Sequence, residues 1–179
     1  GASMVRRLYG ISRPNVTDLG HVPGTRLFRD LNRFDQARRI EDVLVLRVDA
    51  SFSFANAEYF KEFILESERE GRDIRVVIID GTSINDLDTT AVDALHSVIE
   101  TLDDRGIALY FTGLIGPVRE VVVRSGLRDI LGADHFHMDP HDAVVHVLDE
   151  WDAQDGGHRI EQYFEKTEAT SEQSTPAAS

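Results

Sequence analysis

The chain contains no cysteine, which removes disulfide staples and thiolate metal sites and fits a reducing compartment. It has no apolar run near the roughly 18 residues that span a bilayer, and its N-terminus lacks the apolar stretch of a secretory signal. Positive charge is scarce. The 19 Lys and Arg stand against 32 Asp and Glu, and the formal −13 argues against a nucleic-acid partner, whose phosphates attract the opposite sign. A glycine-rich phosphate loop with its lysine is also missing, so Asp80, Asp86, Asp88 and Asp93 lack the company of a metal-dependent phosphoryl-transfer site. His135, His137, His141 and His146 are close in sequence, and His137 and His141 are four apart, but the helix opening at Asp139-Pro140 falls between those two, so they do not share one helical face. They read as ordinary strand and surface histidines. Ser125 precedes Gly126 at a helix end, without the strand-to-helix elbow of a hydrolase nucleophile. The sequence therefore points to no enzyme: no catalytic residue, cofactor or metal ligand is expected.

What is present suits one α/β domain. With 41% hydrophobic residues, 179 residues suffice for a single core plus an attached segment. Charge is unevenly placed: residues 1–40 carry eight arginines against three acids, a formal +5, so the remainder carries −18. Such a basic leading segment suits either a solvated face or a chain lying beside an anionic leaflet. Gly1 to Met4 reads as a tag remnant, which would make the chain a fragment of a longer protein.

Residues 5–24, with Pro14, Gly20, Pro23 and Gly24 and no sustained period, read as an extended connector. Thr25 to Leu31 reads as a first strand with Leu27 and Leu31 facing one way, and Val43 to Asp49 as a stronger one extended by Ser51 to Phe54. Asn56 reads as the N-cap of a helix with Tyr59, Phe60, Phe63 and Ile64 as its buried stripe. Ile74 to Asp80 is almost wholly apolar, as expected of a central parallel strand covered on both faces. A helix with Ala91, Leu95, Val98, Ile99 and Leu102 inward follows, then a strand over Ile107 to Thr112. Gly116-Pro117 and Asp139-Pro140 each open a further helix around a short strand at His135 to Met138. The alternation implies a mostly parallel sheet. From about Ala153 the chain turns polar and acidic, with a few helical turns around Ile160 to Phe164 and disorder expected from Thr170 to Ser179.

The stretch Val76 to Leu95 carries the chemistry. A β-branched run ends in Asp80, a polar loop with Thr82, Ser83 and Asn85 follows, and Asp88-Thr89-Thr90 opens a helix. Two readings are open: a helix cap at Asp88 or Thr89, and a regulatory hydroxyl at Thr90. A phosphate on Thr90 would bring about −1.5 to −2 charges to the positive end of the helix dipole while facing repulsion from Asp80, Asp86 and Asp88.

Three motifs resemble the STAS domain, the module shared by sulphate transporters and anti-sigma factor antagonists. Ile78 to Val92 is similar to the family's strand, loop and helix start, with Ala91 where the family's helix opening has glycine. Phe52 to Ile64 (FSFANAEYFKEFI) and Gly116 to Val144 (GPVREVVVRSGLRD through HDAV) resemble the C-terminal cytoplasmic domain of SulP anion permeases. Leu19 to Phe34 is similar to the lead-in of that domain, and the likeness runs roughly from Tyr9 to Trp151. The resemblance implies a central mixed, mostly parallel sheet of four to six strands with about four helices and an acidic tail. It divides the chain into a tag remnant (1–4), a membrane-proximal connector (5–24), the domain (25–152) and a largely disordered tail (153–179).

The function implied is that of a non-catalytic regulatory and assembly domain at the cytoplasmic face of the inner membrane. It would serve a secondary transporter of sulphate, bicarbonate or dicarboxylate. Its partners would be the membrane domain of the same chain, a second copy in a homodimer, and a regulatory protein or nucleotide. By position, Thr90 matches the residue phosphorylated in the antagonists, beside Thr89 and Asp88; Asp80, Thr82, Ser83 and Asn85 would form a ligand or partner loop. The alternatives are a free-standing antagonist switched by phosphorylation, and a nucleotide or anion sensor.

Overall fold

A computed structural model describes residues 16–51 and 54–164. In chain order the strands are β1 (Val16–His21), β2 (Phe28–Asp30), β3 (Val43–Val48), β4 (Ala50–Ser51), β5 (Val76–Asp80), β6 (Ile84–Asp86), β7 (Ala108–Thr112) and β8 (Phe136–His137). The helices are α1 (Phe54–Arg69), α2 (Thr89–Asp104), α3 (Gly116–Arg124), α4 (Leu127–Leu131) and α5 (Pro140–Asp155), with a 3₁₀ turn at Ala133–His135.

Six strands form one sheet in the order β2-β1-β3-β5-β7-β8, parallel from β3 to β8 and antiparallel at β1 and β2. Alternation along the central strands sends Leu44, Leu46, Val77, Ile79, Leu109 and Phe111 into one apolar cluster with α1, α2 and α3. Val43, Val45, Val76, Ile78 and Tyr110 point the other way, against α5. Both faces are therefore covered, which is why these strands read as continuous apolar runs. α1 and α2 pack side by side, and Lys61 Nζ donates to Ser97 Oγ across them at 2.7 Å. Among the described residues no helix is long and apolar enough to cross a membrane.

Several local expectations are corrected. Val16–His21 lies inside the stretch read as connector yet is β1, paired with β3 in register Val16↔Val48. Its alternation is masked by Asp18, whose carboxylate is drawn into the structure by Arg39 at 2.5 Å. The strand at 25–31 shrinks to Phe28–Asp30, where Phe28 is buried and Leu27 lies 46% exposed, so the inward face is the opposite one. α1 begins at Phe54, which puts Asn56 inside the first turn and not at the cap. The extension after Val48 is only β4, and residues 52–53 lie outside the described ones.

The helical turns expected around Ile160 to Phe164 are present at 159–164, and the polar end packs further than its composition suggests. α5 stops at Gly156, whose φ of +71° suits glycine, and a helical turn over 159–164 follows. Asp152 accepts from the backbone N–H groups of Arg159 and Ile160 at 3.0 Å each, and the Arg159 guanidinium also pairs with Asp155. Those hydrogen bonds hold both carboxyls below the usual carboxylate range, Asp155 at about 2. Trp151 lies beneath two guanidinium groups, Arg75 at 4.0 Å and Arg159 at 5.6 Å from its ring centre. Tyr163 is buried in the second cluster. The segments 1–15 and 165–179, with the expected tag remnant and disordered end, lie outside the described residues.

Candidate functional site

Parallel strands β3, β5, β7 and β8 all point their C-terminal ends at one edge of the sheet, where α2, α3 and α5 begin. Ligands and partners of open α/β sheets commonly engage such an edge. The loop from Asp80 to Asp88 is built there in three steps.

First, Asp80 turns the chain. Its Oδ1 accepts from the Thr82 backbone N–H at 3.1 Å and from the Thr82 hydroxyl at 2.6 Å. Second, the loop is pinned to the sheet. Gly81 N–H donates to the Thr112 carbonyl at 2.9 Å, and a side chain at Gly81 would come within 2.6 Å of the Leu114 methyl. Third, Ile84 and Leu87 bury themselves as anchors, and β6 pairs with β4 in a separate parallel ribbon. Thr82, Ser83, Asn85 and Asp86 remain exposed between the anchors.

The helix start resolves the two cap candidates. Asp88 is the N-cap, with extended backbone (φ −81°, ψ 178°), and its Oδ1 accepts from Ala91 N–H at 2.8 Å. Val92 N–H closes on the Asp88 carbonyl at 3.0 Å. Thr89 and Thr90 are the first two residues of the helix and both are exposed. Replacing Asp88 with alanine should lower stability by about 1 kcal/mol through the lost cap. Urea denaturation of both proteins measures the difference, and equal midpoints would show that the cap contributes nothing.

The structure thus joins Asp80 to Thr82 and gives Asp88 a structural task, while Ser83, Asn85, Thr89 and Thr90 are surface groups around them. Asp80 and Asp88 do not share a hydrogen bond. Because a carboxylate already sits at the start of α2, a free anion there would meet its negative charge. The arrangement suits a hydroxyl that is modified or touched by a protein better than a pocket for a small ligand. Among the described residues no group of three or more His, Asp or Glu is placed to hold a metal.

Little in the sequence signals a second polar cluster, which lies at the α5 start. His21 of β1 and His141 of α5 are buried around Tyr163. The only signal for His141 was its place one residue after Asp139-Pro140, in what reads as an exposed helix opening. Asp139 caps that opening through Asp142 N–H at 2.8 Å.

Comparison with known proteins gives a consistent outcome. A family model described as the STAS domain matches residues 36–143. The chain is 27% identical over 160 residues to the probable sulfate transporter 3.4 of Arabidopsis thaliana, covering 84% of this chain and 24% of that protein. It is 31% identical over 154 residues to sulfate transporter 1.3 of the same plant, covering 80% and 23%. It therefore spans about a quarter of the length of these curated relatives. The fold matches SLC26A9 with a TM-score of 0.66 at 18% identity, over 86% of this chain and 27% of that one. It matches the STAS domain of a SulP transporter from Vibrio cholerae with a TM-score of 0.58 at 20% identity, over 66% and 90%.

Proposed function

Because the chain belongs to the STAS domain family, we propose that it is the cytoplasmic regulatory and assembly module of a SulP-type secondary anion transporter. One observation carries this reading. The likeness to sulfate transporters extends over as much as 84% of the chain, well beyond residues 36–143 that define the domain itself. In this reading the carrier's substrate is sulphate, bicarbonate or a dicarboxylate, bound by membrane helices elsewhere in the parent chain. A second copy of the parent and its own membrane domain are the immediate partners.

The regulatory surface is the loop from Asp80 to Asn85 together with the α2 start. Asp80, Thr82 and the Asp88 cap fix its shape, and Ser83, Asn85, Thr89 and Thr90 supply the polar groups that a partner meets. Thr90 is the acceptor for a phosphate: its exposure gives a kinase access, and the helix dipole offsets part of the added charge. The repulsion from Asp86 and Asp88 then becomes the signal, because it changes the surface without requiring the buried anchors to move.

Reading the gene upstream of Met4 tests the assignment. A long region of hydrophobic segments is expected there. A reading frame that opens at Met4 with no such region upstream would sink it.

A further inference from the structure

The turn over 159–164 closes on a pair of buried histidines. His141 Nδ1 and the Tyr163 hydroxyl share a hydrogen bond of 2.8 Å, and the two rings lie 5.6 Å apart. His21 stacks obliquely on Tyr163 at 4.6 Å and on Phe28 at 5.4 Å, while its Nε2 bonds the Thr25 carbonyl at 2.8 Å. Phe164 meets the edge of His141 at 6.2 Å. Only 4% of His21 and 8% of His141 reach solvent. Three parts of the chain that are far apart in sequence therefore meet at two titratable rings: the end of β1, the start of α5 and the final turn.

We propose that residues 159–164 are an acid-released latch, docked at neutral pH on neutral His21 and His141 and let go when these imidazoles take up protons. A proton on either ring puts a charge into an apolar cluster that includes Leu19, Phe28 and Tyr163. Undocking returns the rings to water, where the charge is well solvated.

The groups facing the pair offset its burial only in part: Asp139 and Asp142 favour a charged His141, and the Thr25 carbonyl a charged His21, yet burial outweighs them. Asp139 and Asp142 at the α5 start are already engaged by Arg26 of the β1–β2 turn, at 3.4 and 2.8 Å. Arg26 itself disfavours a second cation beside it. From β2, Phe28 offers only its ring, and the Arg29 guanidinium is bonded to the Phe28 carbonyl. His158, just before the turn, and Glu161 on it are exposed and face each other at 3.6 Å. Burial is accordingly the main cause that lowers both histidines below their ordinary value of 6.5, with Arg26 next for His141.

The sign follows from linkage. A depressed imidazole favours docking fully above the undocked value of about 6.5, and that contribution is lost as the pH falls through the docked value. Each ring can weaken docking by up to about tenfold per pH unit in that window. Asp152, which holds the other end of the turn, stays ionised there because Ile160 N–H and Arg159 keep it below the carboxylate range.

Amide hydrogen exchange of the whole chain, corrected for intrinsic rates, tests the latch at Ile160 and Gln162. Between about pH 7.5 and pH 5.5 their protection should fall about tenfold or more, while Val77 and Ile79 in the sheet keep theirs. The double variant His21→Gln, His141→Gln should show no such pH dependence. Unchanged protection in the wild type, equal loss at Val77 and Ile79, or full pH dependence in the double variant would each overturn the proposal. Should that variant fail to fold, an NMR titration of the wild-type imidazoles decides: both below about 6.5 supports the latch, and both at or above it contradicts it.

Discussion

Replacing Phe60 with alanine is expected to destabilise the domain by about 3–5 kcal/mol, several times the loss expected from removing the Asp88 cap. Phe60 lies on α1 with 1% of its surface exposed, among the largest wholly enclosed side chains of the first cluster. That cluster is bounded by the sheet on one side and by α2 on the other, and the Lys61 to Ser97 hydrogen bond holds α1 and α2 together. A cavity left between three rigid elements collapses poorly, so the cost is the transfer term plus most of the void. Paired urea titrations with unchanged slope would measure it. A loss below about 1 kcal/mol would mean that α1 is loosely packed and that its apolar stripe serves another purpose.

Gly113→Ala should cost about 2–3 kcal/mol and, unlike the first change, should act on the candidate site. Gly113 has φ +69°, a backbone shape that charges an L side chain about 1–2 kcal/mol. Its Cα also backs onto Thr82: a Cβ there would lie 2.3 Å from the Thr82 hydroxyl oxygen. That hydroxyl must then swing away from Asp80, giving up a hydrogen bond worth about 1 kcal/mol. The double variant Gly113→Ala, Thr82→Ala separates the two causes. If the steric account holds, removing the hydroxyl should recover part of the loss; additive losses in the two changes would refute it.

The domain's scaffold was legible where one physical constraint dominated the sequence. β3, β5 and β7 are covered on both faces, so Val43–Val48, Val76–Asp80 and Ala108–Thr112 read as apolar runs with little ambiguity. Pro117 and Pro140 near helix starts, and Gly126 in left-handed conformation after a helix end, marked boundaries that the structure keeps. β1 was hidden because Asp18 interrupts its alternation, and the reason Asp18 can sit there is Arg39, which sequence periodicity does not reveal. β4 and β6 are two and three residues long, too short for any period to show.

The candidate site divides in the same way. A carboxylate before two hydroxyls at a helix start is a local signal, so the Asp88 cap and the exposure of Thr89 and Thr90 follow from adjacent residues. The clamp of Thr82 between Asp80 and Gly113 is not local, since Gly113 directly follows the neighbouring strand β7. The pairing of His21 and His141 across Tyr163 is less legible still. It joins a strand read as connector to a turn read as tail, and each half looked unremarkable without the other.

If Thr90 takes a phosphate as proposed, a change of charge at the α2 start should alter transport by the parent protein. Thr90→Glu adds one charge where a phosphate would add up to two, and Thr90→Ala removes the acceptor while leaving the Asp88 cap in place. Uptake of labelled sulphate, bicarbonate and dicarboxylate by the full-length parent protein in proteoliposomes is the most direct measurement. Wild type should carry at least one of these anions, and Thr90→Glu should change its rate by about fivefold or more relative to Thr90→Ala. Transport of none of them, or equal rates in wild type, Thr90→Ala and Thr90→Glu, would contradict the account of this domain as a carrier's regulatory module acting through the start of α2.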